Sequence, residues 1–172
     1  MTVAKLRRGF EVVMEVVVVF LLLTLAAIVL IGVGYRIFGD PLPWYDEVAS
    51  VLLAWLTYYG AALAAVKRAH IGFPGIVDSL PVAVRVPVVI FAEICAIAFF
   101  ALVAWYGWLI LDLLAGDTLV SVEIPVEVTQ SVMPIGAVLF IIAELLVLPQ
   151  VLAAARAGKP QPHEEFAVKV SS

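Results

Sequence analysis

The sequence predicts an all-α integral membrane protein with four transmembrane helices. Of its 172 residues, 65% are hydrophobic and only 14% are charged, whereas a typical soluble domain has about 25% charged residues. Four apolar runs carry almost no charge, and each is about as long as the roughly 20 residues that a helix needs to cross a bilayer. The runs do not alternate between apolar and polar residues, which argues against a membrane β-barrel. They use nearly the whole length, so no soluble domain is expected.

In chain order we predict a cytoplasmic segment, four spans with their connecting loops, and a cytoplasmic tail. The predicted bounds are 1–15 for the N-terminal segment, 16–35 for the first span, 36–46 for an outer loop, 47–66 for the second span, 67–85 for a cytoplasmic connection, 86–111 for the third span, 112–127 for a second outer loop, 128–150 for the fourth span and 151–172 for the tail. The 67–85 connection is broken by prolines but rich in apolar residues, which predicts a short segment lying along the inner leaflet.

The orientation follows from lysine and arginine, which collect on the cytoplasmic side of membrane proteins. Nine of the ten Lys and Arg residues fall in the N-terminal segment, the 67–85 connection or the tail, and Arg36 is the exception. Both termini are therefore predicted to be cytoplasmic, in a multi-pass protein of a bacterial or archaeal cell (inner) membrane. The acidic 112–127 loop fits an outer position.

The first apolar run is expected to be a retained span. Lys5, Arg7 and Arg8 precede it as in a signal peptide, but it exceeds the usual 7–15 apolar residues and lacks a small-residue cleavage site. Residues 1–15 either lie along the cytoplasmic interface or extend the first helix, and both interpretations stay open here.

The stretch Pro41-Leu-Pro-Trp-Tyr-Asp-Glu47 predicts the beginning of the second span. Asp46 and Glu47 fall in a first helical turn, where free N–H groups and the helix dipole favour carboxylates. Trp44 suits the headgroup layer, because its ring is apolar and its edge is polar. Further along, Gly60 and Ala64 form a small-xxx-small pair, a pattern that lets helices approach closely in lipid.

Glu93 and Glu144 are the two acidic residues that lie inside the predicted spans, away from their ends. An acidic group there is costly and is therefore a candidate for function. Their distances from the span ends place both toward the inner leaflet, at depths within roughly 10 Å of one another. They either share a proton, face a basic group of a partner, or serve as a proton or sodium relay. We favour carboxyls that are hydrogen-bonded at a helix interface.

Catalytic, metal and cofactor sites are not expected. Cys95 is the single cysteine, and His70 and His163 are the two histidines, both outside the predicted spans. No nucleophile or phosphate-loop motif is present, and nothing in the sequence suggests a nucleic-acid partner. Pro134 and Gly136 would break a transporter helix if they had an inverted counterpart, but an ordinary kink or a proline in the first turn is the better interpretation.

The region from Tyr35 to Ile71 resembles the small membrane subunit of tripartite ATP-independent periplasmic (TRAP) transporters, the DctQ-type family. The resemblance rests on an ordered set of motifs: Pro41-Leu42-Pro43-Trp44, Asp46-Glu47, Trp55, Gly60-Ala61-Ala62, Lys67-Arg68 and His70-Ile71. Tyr35-Arg36 stands where the family has the reverse order, and Met133-Pro134-Ile135-Gly136 is similar to the start of its last span. The set nominates as anchoring or partner-interface residues Arg36, Trp44, Asp46, Glu47, Trp55, Gly60, Ala64, Arg68 and His70.

The resemblance implies a protein that is not an enzyme and needs no cofactor. It implies two partners besides membrane lipid, a large multi-span TRAP subunit with the substrate and sodium sites and a periplasmic substrate-binding protein that delivers an organic acid. The small subunit would be a fixed scaffold against which the large subunit moves. The alternative function is a self-contained proton-coupled carrier or exporter that uses Glu93 or Glu144.

Overall fold

The structure, a computed structural model, describes residues 2–68 and 79–158 and consists of helices joined by short connections. The helices are α1 (Thr2–Ile37), α2 (Tyr45–Val66), α3 (Val82–Leu113), α4 (Val126–Gln130) and α5 (Val132–Arg156). Four segments are long and apolar enough to cross a membrane: α1, α2, α3 and the Val126–Arg156 segment that contains α4 and α5. Within the described residues, β-structure is limited to one isolated bridge. The predicted fold class is confirmed.

The first helix is continuous from Thr2 to Ile37. Residues 2–15 therefore extend the first helix, which is the second of the two interpretations left open above. A helix of 36 residues is about 54 Å long at 1.5 Å per residue, so it exceeds the roughly 30 Å hydrocarbon layer. The apolar segment expected along the leaflet between the second and third spans lies largely outside the described residues.

The last helical segment is interrupted at Ser131, between α4 and α5. Pro134 lies three residues further along and has no N–H for the carbonyl of residue 130, and its ring crowds that carbonyl. The interruption is local, because Ser131 N–H still donates to the Glu127 carbonyl at 2.9 Å and Ile135 N–H to the Ser131 carbonyl at 3.2 Å. Pro134 thus sits in the first turn of α5.

The central helix of the bundle is α5, which packs against α3 on one side and α2 on another, while α1 packs mainly on α2. In the α4–α5 segment, 44% of the residues of the most apolar stretch are buried inside the chain. In each of the other three spans the corresponding fraction is only 11%. Helices α1 and α3 therefore lie at the periphery of the chain and keep wide apolar faces.

Small residues allow the close helix approaches. A Cβ atom placed on Gly136 in α5 would lie 2.6 Å from the Cβ of Tyr58 in α2, and one on Gly32 in α1 would lie 2.3 Å from the ring of Tyr45. Gly60 differs, because a Cβ there would meet no atom within 4 Å. Close packing of α2 on α5 thus depends on Gly136, whereas Gly60 faces open space in this chain.

Gly136→Ala is expected to destabilise the isolated protein by about 1–3 kcal/mol, the usual cost of overpacking. The Cβ of Tyr58 cannot rotate away from the new methyl group, so α2 and α5 must separate. Gly60→Ala is the matched control, since it fills open space and gains about 0.5–1 kcal/mol of helix propensity. Unfolding by SDS titration in mixed micelles measures both; equal stability of the two variants would contradict the packing.

Candidate functional site

The candidate residues lie at two opposite ends of the bundle. Trp44, Asp46 and Glu47 begin α2, and Arg68 lies just beyond its last residue, Val66. Because α2 has 22 residues, these two groups are separated by about 33 Å. We call the end where residues 38–44 join α1 to α2 the turn end, and the opposite end the Arg68 end.

The Arg68 end contains an ion cluster formed by Arg68, Glu93 and Glu144. The Nη1 of Arg68 donates to Glu93 Oε1 at 3.0 Å and to Glu144 Oε2 at 3.2 Å. Glu93 and Glu144 are 8% and 6% exposed, and the Arg68 side chain is 18% exposed. One guanidinium from the end of α2 therefore joins carboxylates that belong to α3 and α5.

Apolar side chains surround the ion cluster. Ala65 and Val66 precede Arg68 in α2, Val89 lies one turn before Glu93, and Ala143 and Val147 flank Glu144; all belong to the main buried core. A charge in such surroundings is costly unless it is paired. The cluster is consequently a place where loss of one partner leaves the others uncompensated.

Two stacked phenylalanines close the ion cluster on the side toward the middle of the bundle. Phe140 lies four residues before Glu144 in α5, and Phe100 lies seven residues after Glu93 in α3. Their ring centroids are 3.7 Å apart and their planes differ by 17°. This contact packs α3 on α5 one to two turns beyond the carboxylates and places apolar rings on that side of them.

Arg68 adopts a backbone conformation that usually belongs to glycine. Its φ is +54° and its N–H donates to the Ala65 carbonyl at 3.1 Å, the geometry of the residue that follows a helix C-cap. At the ends of α1 and α5 the same position holds Gly39 (φ +82°) and Gly158 (φ +65°). An arginine in the left-handed backbone conformation costs about 1–2 kcal/mol of stability. Its contacts with the two carboxylates account for its presence at this position.

Polar contacts also attach α1 to the Arg68 end. Lys67 forms ion pairs with Glu15 and, at 3.7 Å, with Glu11, and Arg7 Nη1 donates to the Gln150 side chain at 2.6 Å. The Lys67 pairs are partly exposed and are worth at most about 1 kcal/mol each. They fix the register of α1 on its neighbours more than they stabilise the fold.

At the turn end, the anchoring residues have different environments. Arg36, in the last turn of α1, and Asp46, in the first turn of α2, are exposed. Trp44 is half-buried at the N-cap of α2 and makes no capping hydrogen bond with its side chain. Glu47 was expected to serve its own helix, yet its carboxylate accepts hydrogen bonds from the distant backbone of Val120 and Ser121.

The remaining candidates lie between the two ends or outside the described residues. The Trp55 indole N–H donates to the Thr129 carbonyl at 2.9 Å, which attaches α2 to α4, and its ring lies 6.2 Å from that of Tyr59. Gly60 and Ala64 are half-buried on α2. His70 lies outside the described residues. Among the candidates that the structure describes, Arg68, Glu93 and Glu144 are therefore brought together, and the others lie away from them.

The cation that contacts Glu93 and Glu144 comes from this same chain, which was not predicted from the sequence. The two acids were predicted to lie at similar depths, and both contact Arg68, but Arg68 itself was placed in the 67–85 connection as an anchoring or partner-interface residue. The available signal was that Arg68 follows an apolar helix directly, so its long side chain can reach back along the helix end. The positive φ that directs it there has no signature in the sequence.

Apolar surface dominates the rest of the chain. A groove of about 630 Å³ between α1 and α2 is lined by Val16, Val19, Phe20, Leu23 and Leu63 and ends at Glu15 and Lys67. On the periphery of α1 and α3, Leu30, Phe91 and Trp105 are 67–72% exposed. Among residues 2–68 and 79–158, no group of three or more His, Cys, Asp or Glu side chains is arranged to hold a metal ion.

Comparison with known proteins finds similarity over most of the chain. The family model described as "Tripartite ATP-independent periplasmic transporters, DctQ component" matches residues 25–154. The sialic acid TRAP transporter small permease protein SiaQ of Vibrio cholerae is 24% identical over 146 residues, which cover 84% of each protein. The matched region contains the turn end, the whole of α2 and the ion cluster.

Arg68→Met is expected to destabilise the protein by about 3–5 kcal/mol, because it leaves two buried carboxylates without their cation. Arg68→Gly removes the same charge but relieves the left-handed backbone, so it should cost about 1 kcal/mol less. Exposed Arg36→Met is the control and should stay within about 0.5 kcal/mol of the unsubstituted protein. Unfolding in mixed micelles measures all three.

Adding Glu93→Gln to Arg68→Met should restore part of the lost stability, since one uncompensated carboxylate is then removed. A double variant that is less stable than Arg68→Met alone, or an Arg68→Met protein as stable as the Arg36→Met control, would show that the ion cluster does not hold α2, α3 and α5 together.

Proposed function

We propose that this chain, which belongs to the family of DctQ components of tripartite ATP-independent periplasmic (TRAP) transporters, is a fixed scaffold for a large transporter subunit. The large subunit would carry the sodium and substrate sites, and a periplasmic binding protein would deliver an organic acid to it. The observation that carries the proposal is the family match, which extends over residues 25–154 and thus over most of the four apolar segments.

The use of charge inside the chain supports a scaffold. Carboxylates of an ion pathway or proton relay line the route of the ion, commonly a water-filled cavity. Glu93 and Glu144 instead share one guanidinium and are almost fully buried, and Phe100 and Phe140 stack directly beyond them. This arrangement favours a rigid joint between helices over a relay, and for that reason the self-contained carrier is not the function we propose.

The distribution of apolar surface supports a partner in the membrane. One helix, α5, is well buried, whereas α1 and α3 present their apolar residues outward. Gly60, a half-buried glycine of α2, adds a site where a second helix backbone could approach closely, since no atom of the described residues lies within 4 Å of the position of its absent Cβ. A rigid bundle with wide apolar faces is suited to remain still while the larger subunit moves against it.

The proposed substrate class is organic acids. The relative from Vibrio cholerae is named for sialic acid, which carries a carboxylate. In our proposal the acid contacts the binding protein and the large subunit, while the small subunit contributes no group to its recognition.

Reconstitution tests the proposal directly. Proteoliposomes that contain this chain, the large subunit encoded with it and the soluble binding protein should take up the acid in a sodium-dependent manner. Omission of this chain should abolish uptake, and the chain alone should give none. Uptake by the chain alone that disappears with Glu144→Gln would instead favour a self-contained carrier.

Gly60→Trp is expected to reduce co-purification with the large subunit, because an indole would occupy space that the partner helix needs. The isolated variant should keep most of its stability, since a Cβ on Gly60 would meet no atom of the described residues within 4 Å. Gly34→Trp is a matched comparison at a second helical glycine with open space. Unchanged co-purification of Gly60→Trp would remove Gly60 from the proposed interface.

The proposed topology places both termini in the cytoplasm and the turn end outside. In a Cys95→Ala background, a cysteine at Ser121 should react with a membrane-impermeant maleimide in intact cells. A cysteine at Gly158, beyond α5, should react only after permeabilisation. The reverse pattern would invert the orientation while leaving the fold unchanged.

A further inference from the structure

The connection between α3 and α4 forms a short hairpin at the turn end. Leu119 N–H donates to the Ile124 carbonyl at 3.0 Å, and Val126 N–H donates to the Asp117 carbonyl at 2.9 Å. We call residues 117–126 the hairpin. A two-stranded hairpin is at best marginally stable by itself, so its conformation depends on contacts with the rest of the bundle.

Glu47 supplies that contact at the tip of the hairpin. Its Oε1 accepts a hydrogen bond from Val120 N–H at 2.8 Å, and its Oε2 accepts one from Ser121 N–H at 2.7 Å. Both carboxylate oxygens are used, and charge-assisted bonds of this length are about twice as strong as neutral ones. At the base of the hairpin, Glu127 Oε1 accepts a bond from Gly116 N–H at 3.0 Å. The tip is therefore attached to the first turn of α2.

The fixed tip presents an apolar side chain in an acidic setting. Val120 is 97% exposed, and Asp117 and Glu123 on either side of it are exposed as well. Residues 112–127, which include this connection and the adjoining helix ends, contain four carboxylates and no lysine or arginine. Anionic lipid headgroups would repel such a segment, whereas a basic protein surface with an apolar recess would complement it.

We propose that Glu47 is a positioning residue that holds the hairpin in a docking conformation, and that the hairpin contacts the soluble binding protein through Val120. This inference rests on the proposed function, which supplies the partner. The partner surface would be basic around an apolar recess that accepts the valine. A tip that is fixed before docking lowers the entropy cost of binding. This gives a reason for the contact of the Glu47 carboxylate with the hairpin tip.

Amide hydrogen exchange tests the positioning role. In the two-subunit complex in nanodiscs, Glu47→Ala should accelerate exchange of the Val120 and Ser121 amides. Glu47→Gln retains one acceptor oxygen and should have an intermediate effect. Asp46→Asn is the matched control, since Asp46 is the exposed acid next to Glu47, and it should leave exchange unchanged. Unaltered exchange in Glu47→Ala would overturn the positioning role.

Binding of the soluble protein to the same nanodiscs tests the docking role. Val120→Arg should weaken binding by about tenfold or more, as expected for an interface anchor, and Val120→Ser should have a smaller effect. Neither should alter the exchange of Ser121. Glu47→Ala should weaken binding while the pairing with the large subunit stays intact.

The outcomes separate this inference from the proposed function. Binding that is unaffected by both Glu47→Ala and Val120→Arg would overturn the docking role and leave the scaffold proposal standing. Failure of the unsubstituted chain to pair with the large subunit, or of the complex to bind the soluble protein, would overturn the proposed function and the docking role together.

Discussion

The contact of the Arg68 guanidinium with Glu93 and Glu144 is the interaction on which the arrangement of α2, α3 and α5 depends. In lipid, apolar side chains gain little by leaving the solvent for a neighbouring helix, so association must come from close packing and polar contacts. A charged group in that medium is stable only when it is paired. A single guanidinium at the end of α2 that contacts carboxylates inside two other helices therefore selects one arrangement of the three helices, because any other would leave a buried charge unpaired.

The same constraint explains the unusual backbone at the end of α2. Glycine would satisfy the left-handed position without strain, as it does after α1 and α5. Arginine occupies it because the residue that closes the helix must also reach Glu93 and Glu144. The strain of one residue is small compared with the cost of leaving two carboxylates uncompensated. The stability of the bundle and the geometry of the ion cluster are thus determined by one position.

The fold class followed from the sequence because its signals are local and additive. Charge-free runs, the glycine and prolines after α1, and the acids that begin α2 each identify an element by itself. The ion cluster did not follow, because it depends on where three separate helices lie relative to one another. The depths of Glu93 and Glu144 could be counted along their spans, but the conformation of Arg68 could not. Glu47 illustrates the same difference, since its helix-start position was predictable and its bonds to Val120 and Ser121 were not.

A scaffold needs a rigid interior and exposed side chains in defined positions, and the two ends of the bundle meet these requirements separately. At the Arg68 end, Arg68 is paired with Glu93 and Glu144 next to the apolar core. This end therefore contributes rigidity. At the turn end, carboxylates instead fix backbone N–H groups of the hairpin and leave exposed side chains in defined positions. Helix α2 connects the two, because Glu47 lies in its first turn and Arg68 lies two positions after its last residue, Val66. A shift of α2 along its axis would disturb both sets of contacts at once. The helix that best defines the geometry of this protein is therefore α2, although α5 is the one most deeply buried.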